Sequence, residues 1–278
     1  MITPYFESED FTLYLDDCLN IIKSIPTESV SVVFADPPYF LSNDGYTVQN
    51  GKRVNVNKGD WDKSLNVQND FKFQLDWIRE IKRVLKPDGT IWISGTYHSI
   101  FQCGYALQLT DYHILNDLIW FKPNASPNLA CTVFTASHET LIWARKTKKN
   151  KHFFNYDLMK NGEWHEVDKL KNEGKQMRSV WALTGTKSYE KIHGKHPTQK
   201  PEELLKRIIL ASTREGDLIL DPFNGSGTTG IIASRYGRKY IGVDLDKSYL
   251  DLTIKRQEEN YKEGVEKIKT KNDLVELF

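Results

Sequence analysis

The stretch Ile219-Leu-Asp-Pro-Phe-Asn-Gly-Ser-Gly-Thr-Thr-Gly-Ile-Ile-Ala233 carries the reading of the fold. A short apolar run, Leu218 to Leu220, ends in Asp221-Pro222, and a glycine-rich turn follows. Apolar residues then continue with helical spacing from Thr228 to Tyr236. Strand, glycine turn and helix in that order form the unit that cradles a ligand at a helix start in doubly wound sheets. Gly225 and Gly227 let backbone approach a ligand closely. Asp244 closes the next strand, Lys239 to Val243. An acid at that place hydrogen-bonds a ribose hydroxyl. The C-terminal half is therefore expected to hold an adenosine-bearing ligand. The turn alone does not distinguish a nicotinamide cofactor from other adenosine-bearing ones.

Working outward, strands and helices alternate. Phe11–Leu15, Val30–Ala35, Thr90–Ser94, His113–Phe121 and Glu139–Ala144 read as strands. Val30–Ala35 is nearly all apolar, as in a strand covered on both faces. Helices are expected at Asp70–Leu85, His98–Leu109 and Pro201–Thr213, with a charged helix from Asp246 onward. Lys86-Pro87-Asp88-Gly89 reads as a turn. This alternation predicts an α/β fold with a mainly parallel sheet. Residues 1–278 form one domain on this reading, with a loop at 41–64 and an inserted region at 122–195. Trp61 would anchor that loop.

Composition excludes several classes. Three cysteines without close spacing give neither a disulfide framework nor a zinc site, and suit a reducing cytoplasm. No apolar run reaches membrane-spanning length, and the N-terminus lacks the pattern of a signal peptide. Net charge is +1, yet residues 144–200 carry fourteen Lys or Arg against six Asp or Glu. A basic face for a polyanion on a near-neutral scaffold is the reading. Arg145, Lys146 and Lys148 belong to its densest run, and Gln176 and Arg178 are candidate base contacts. Cys131 reads as a packing residue, His138 and Glu139 as strand-packing and rim residues, and the chain from Lys255 as a solvated tail.

Asp36-Pro37-Pro38-Tyr39, after the Val30–Ala35 strand, decides between cofactors. Adenine N6 is a poor nucleophile because its lone pair is shared with the ring. A carboxylate and a carbonyl, Asp36 and Pro37, can each accept one amine hydrogen and free that pair. They also stabilise charge that develops as the methyl group arrives. The prolines fix the bend, and Tyr39 offers a ring to stack on an extruded base. This tetrapeptide resembles the catalytic motif of amino-methyltransferases. Its place ahead of the glycine turn resembles the β class of DNA amino-methyltransferases, over nearly the whole chain.

That resemblance implies a Rossmann-like, S-adenosylmethionine-dependent methyltransferase fold. The sheet would be seven-stranded and mainly parallel, with permuted motif order and an inserted target-recognition region at 122–195. Asp17 or Asp16 would approach the cofactor adenine. His196, Thr198 and Lys200, in "HPTQKPE", would lie near its methionine end. Asp221, Pro222, Phe223, Gly225, Ser226, Gly227, Thr228 and Asp244 would line the turn, and Asp36 would border the cofactor as well as the base. "FADPPYFLSNDG", "KGDWDK" and "PNLACTVFTASHETLIWARK" are similar to adenine methyltransferases of DpnII-type restriction systems. This implies site-specific adenine-N6 methylation of DNA, a cognate restriction endonuclease as genetic partner, and GATC as the site. Dimerisation in the class admits a homodimer. Cytosine-N4 methylation and a non-catalytic nucleic-acid-binding module remain alternatives. A nicotinamide dehydrogenase leaves Asp36–Tyr39 without a purpose.

Overall fold

The computed structural model describes residues 2–42, 46–49, 52–55, 62–128, 131–169, 171–194 and 196–275. Among the described residues, nine strands form one sheet: β1 (Phe6–Ser8), β2 (Phe11–Leu15), β3 (Val30–Ala35), β6 (Leu85–Gly95), β7 (His113–Phe121), β8 (His138–Arg145), β9 (Val180–Ala182), β10 (Leu218–Asp221) and β11 (Lys239–Asp244). Their spatial order is β1-β2-β11-β10-β3-β6-β8-β7-β9. The seven inner strands are those the sequence anticipates, and β2, β11, β10, β3 and β6 run parallel. The outer two are three-residue edge strands, too short to show a period, so the sheet has nine strands rather than seven. A separate hairpin pairs β4 (Tyr46–Gln49) with β5 (Lys52–Asn55) inside the expected 41–64 loop. Trp61 lies outside the described residues.

Two apolar layers sandwich the sheet. Val33 and Ala35 of β3 pack against α1 (Cys18–Ser24), α2 (Val67–Val84) and α3 (Ile100–Leu109). Val32 and Phe34 point the other way, toward α6 (Glu202–Ser212), α7 (Thr228–Arg235) and α8 (Lys247–Val275). All six β3 residues are buried, which explains the unbroken apolar run. The Lys86–Gly89 turn is instead absorbed within β6. Pairing jumps from Val30–Leu85 to Val32–Thr90, so the polar residues bulge out of the ladder. Among the described residues, no helix is long and apolar enough to cross a membrane.

The region 122–195 is not a detached insert, because β8 sits between β6 and β7 in the main sheet. Its short helices α4 (Tyr156–Asn161) and α5 (Trp164–Val167) lean on α6. The Asn155 N–H donates to the Ala211 carbonyl, and Arg207 pairs with Asp168, both fully enclosed. Trp181 and Trp164 sandwich that guanidinium at 4.9 and 5.4 Å. Trp164 and Trp181 thus serve packing, whereas Phe154, Tyr156 and Tyr189 are exposed.

Chain direction positions the site. From β3 the chain crosses to β6 on one side, and from β10 it crosses to β11 on the other. The carboxyl ends of the adjacent β3 and β10 therefore open a crevice, the usual ligand place in such sheets.

Candidate active site

A cavity of about 970 Å³, counting its open mouth, occupies this crevice. Asp36 and Pro38 line it from the end of β3, residues 221–226 from the turn after β10, and Asp244 from the end of β11. Asp16, Asp17 and Cys18 close one side, and His196, Thr198 and Lys200 another. Burial pushes the Cys18 thiol up to about 12, which keeps it inert at neutral pH.

The glycine turn is held by its neighbours. The Gly225 N–H donates to Asp244 Oδ2 at 2.7 Å, and the Phe223 N–H to Asp221 Oδ1 at 3.0 Å. Gly225 has φ 51°, and an added Cβ would press on the His196 ring at 3.2 Å. Gly227, at φ 73°, does not line the cavity. A Cβ there would strike Thr253 of α8 at 2.3 Å. Its role is close helix packing rather than approach to a ligand. Burial pushes the Asp244 carboxyl up to about 6, against the pull of the Asp246 and Gly225 N–H groups. Burial pushes Asp221 up to about 7 despite donors from Thr229 and Phe223, with Asp36 and Asp244 adding to the rise. Asp17 caps α1 by accepting from the Leu19 N–H at 2.8 Å, while Asp16 accepts from the Asp17 N–H and from Asn20.

Arg256 is the residue behind the turn that sequence reading missed. It is buried on α8, not part of a solvated tail. Its Nη1 donates to the Ser226 carbonyl at 2.6 Å and to Thr228 Oγ1 at 3.0 Å, and Nη2 pairs with Glu202. Helical spacing from Leu252 could have flagged it, since residue 256 is one turn further along the same face.

The Asp36 corner is more elaborate than its tetrapeptide. Asp62, fully buried, accepts the N–H groups of Tyr39, Phe40 and Leu41 and the Ser42 hydroxyl. Three successive N–H groups around one carboxylate make a nest, and they hold Phe40 at φ 57°. The Tyr39 hydroxyl donates to Asp36 Oδ1 at 2.6 Å and lies 3.3 Å from Glu139 Oε2. Lys200 Nζ bonds Asp36 Oδ2, sits 3.2 Å from the Tyr39 hydroxyl and 3.5 Å from Glu139. Tyr39 is buried rather than presenting an open face, because its hydroxyl is tied into this cluster. Glu139 is no rim residue. Burial raises its pKa, but the ammonium groups of Lys200 and Lys122 prevail and hold it at about 2. Burial favours neutral Lys200, yet Asp36 and Glu139 keep its pKa above the usual lysine range.

The basic residues divide. β8 runs antiparallel to β6, pairing Thr140 with Gly95 and Arg145 with Thr90. Glu139 thus stands at the crevice end, and Arg145 at the opposite end of the sheet. Lys146 donates to Glu28 and to the Leu85 carbonyl, and Arg145 to the Lys148 carbonyl. Arg145, Lys146 and Lys148 are therefore removed from the mouth of the cavity. Gln176 and Arg178 are exposed just ahead of the edge strand β9.

A DNA methylase family model matches residues 30–255. The chain belongs to the DNA methylase family. It is 51% identical, over 93% of both chains, to Type II methyltransferase M2.DpnII of Streptococcus pneumoniae. It is 49% identical to Type II methyltransferase M2.MboI of Moraxella bovis, over 93% of this chain and 92% of that one. The solved M1.HpyAVI–SAM complex aligns with TM-score 0.63 at 25% identity, covering 88% of this chain and 98% of that one. The cytosine-N4-specific PvuII DNA methyltransferase, at 20% identity and TM-score 0.71 over 93% of each chain, shares the fold.

This DNA methylase is an S-adenosylmethionine-dependent enzyme, and its cavity fits that cofactor chemically. Gly225 leaves room beside His196, and Asp244 offers an acceptor for hydroxyls.

Proposed function

We propose that this chain methylates adenine N6 at a specific DNA site, as the modification enzyme of a cytoplasmic restriction system with a cognate endonuclease. The observation that supports it most is the placing of Asp36 on the wall of the cofactor cavity, at the end of β3. The relatives named Type II methyltransferases support the restriction setting.

S-adenosylmethionine, when bound, supplies an electrophilic sulfonium methyl group. Asp244 would accept from its ribose hydroxyls, Asp16 and Asp17 would face its adenine, and His196 and Thr198 its methionine end. Gly225 and Phe223 would contact it from the turn. Asp36 and the Pro37 carbonyl each accept one hydrogen of the target amine, which frees the nitrogen lone pair. Asp36 would take the surplus amine proton that methylation releases and pass it to water. Pro38 keeps the corner rigid, and Asp62 keeps its N–H groups satisfied. Tyr39 would release part of its hydroxyl cluster to border the base. Gln176 and Arg178, exposed ahead of β9, are candidate DNA contacts.

The test is transfer of labelled methyl from S-adenosylmethionine to unmethylated plasmid and to a single-stranded oligonucleotide, followed by nucleoside analysis. N6-methyladenine is expected. N4-methylcytosine would replace the target base, and no incorporation with DNA binding intact would overturn the reading.

A further inference from the structure

Three charges meet beside the cavity: Glu139 and Lys200 are buried, and the Asp36 side chain, on the other side of the Lys200 ammonium, is 14% exposed. A buried ionic cluster is weak support for stability, since desolvation offsets much of its attraction. Its charge sum is more informative. Asp36 and Lys200 alone would cancel. With Glu139 the trio carries one net negative charge. Lys122, just past the end of β7, pairs with Glu139 through Oε1 while Lys200 lies against Oε2, so that the four groups together are neutral.

We propose that Glu139 is a charge-balancing positioning residue: it offsets the Lys200 and Lys122 ammonium groups, so that the field at the target amine is set by Asp36. The inference rests on the amine-methylation reading above. Positive charge grows on the amine nitrogen as the methyl group arrives. A fixed negative field in a poorly solvated site stabilises that change, whereas a neutral Asp36–Lys200 pair does so weakly. Lys200 in turn orients Asp36, which also takes the Tyr39 hydroxyl at 2.6 Å. Among the described residues, further titratable groups reach the cluster from the elements packed against it. Tyr39 enters from the turn after β3, Lys122 from β7, and Asp221 acts on Asp36 from β10. The Ser94 hydroxyl, from β6, lies 3.4 Å from Glu139 Oε2. Tyr39 stays protonated, because burial and the two carboxylates both raise its pKa.

Glu139→Gln and Glu139→Asp separate charge from shape, since Gln keeps the size and Asp keeps the charge. With saturating cofactor and DNA, kcat of Glu139→Gln should fall roughly tenfold to a hundredfold. Its calorimetric Kd for S-adenosylmethionine should stay within about threefold of wild type, because the lost charge acts through Asp36. Glu139→Asp should keep the higher kcat of the two. The rate of Glu139→Gln should also climb toward alkaline pH. Lys200, deprived of one of its two anions, then loses its proton and leaves Asp36 uncompensated. Wild type, with both anions in place, should show no such climb over the same range. Glu139→Gln at wild-type kcat, or Glu139→Asp no better than Glu139→Gln with a flat profile, overturns the proposal. Where the single variant does not fold, Glu139→Gln/Lys200→Gln removes both charges. It should keep above about one per cent of wild-type kcat, and less than that overturns the proposal. A wild-type enzyme that methylates no amine in DNA sinks the parent reading instead.

Discussion

Replacing Asp62 by Asn should cripple the corner without unfolding the domain. Oδ1 of Asp62 accepts the N–H groups of Tyr39 and Phe40, each at 2.8 Å. Oδ2 accepts the Leu41 N–H at 3.2 Å and the Ser42 hydroxyl at 2.8 Å. An amide keeps one acceptor oxygen and turns a donor toward the other pair. The Ser42 hydroxyl can rotate to accept, but the Leu41 N–H is left facing a donor. One charge-assisted bond is lost outright and two are weakened, about 3 kcal/mol in all. Phe40, at φ 57°, costs roughly a further 1 kcal/mol to hold, and the nest is what holds it. A local shift of about 3 kcal/mol corresponds to roughly a hundredfold in kcat/KM. Spread over global unfolding, the same energy would lower Tm by about 6–12 °C. All four bonds tie one short segment, residues 39–42, to Asp62, so the drop in Tm should stay well below that. Methyl-transfer kinetics beside calorimetry would settle it. A variant within about threefold of wild type in kcat/KM refutes the reasoning about the nest.

Other outcomes follow from the same geometry. Gly227→Ala forces a Cβ to 2.3 Å from Thr253 at φ 73°, and should cost about 2–4 kcal/mol in thermal or urea unfolding. Arg256→Met removes the donors that hold Ser226 and Thr228, although Arg256 lies outside the cavity lining. Cofactor Kd by calorimetry should rise about tenfold or more. Affinity for the cofactor should increase as pH rises through about 6, where Asp244 becomes the ionised acceptor, and Asp244→Asn should flatten that dependence. Stability should move the opposite way. Asp244 and Asp221 have folded pKa values of about 6 and 7, above the unfolded carboxylate value. The native state therefore holds more protons between about pH 4 and 7, and these two groups lower Tm as pH rises through that window.

Much of this was legible in the sequence because it is local. The unbroken apolar run Val30–Ala35 announced a strand covered on both faces, and the Leu218–Tyr236 segment announced a strand, glycine turn and helix. Asp36 and Asp244, which line the cavity, stand out in the sequence because each ends such a strand. What escaped was long-range. Asp62 is 23 residues from the Tyr39 N–H it accepts. Glu139 and Lys200 meet Asp36 only because β8 and the 196–200 segment converge on the end of β3. Composition says nothing of where Arg145, Lys146 and Lys148 stand relative to the crevice. Their density suggested a DNA face, but strand direction carries them to the far end of the sheet. Arg256 sat in a charged run, and only the tertiary contact of α8 with the glycine turn distinguishes it from a solvated cation.

The central claim is that Asp36 serves the target amine rather than the fold or the cofactor. Asp36→Asn tests it most directly, with cofactor affinity by calorimetry and labelled methyl transfer to DNA measured on the same preparation. The account predicts cofactor binding close to wild type with turnover nearly abolished. Turnover preserved, or cofactor binding lost together with the fold, would contradict it.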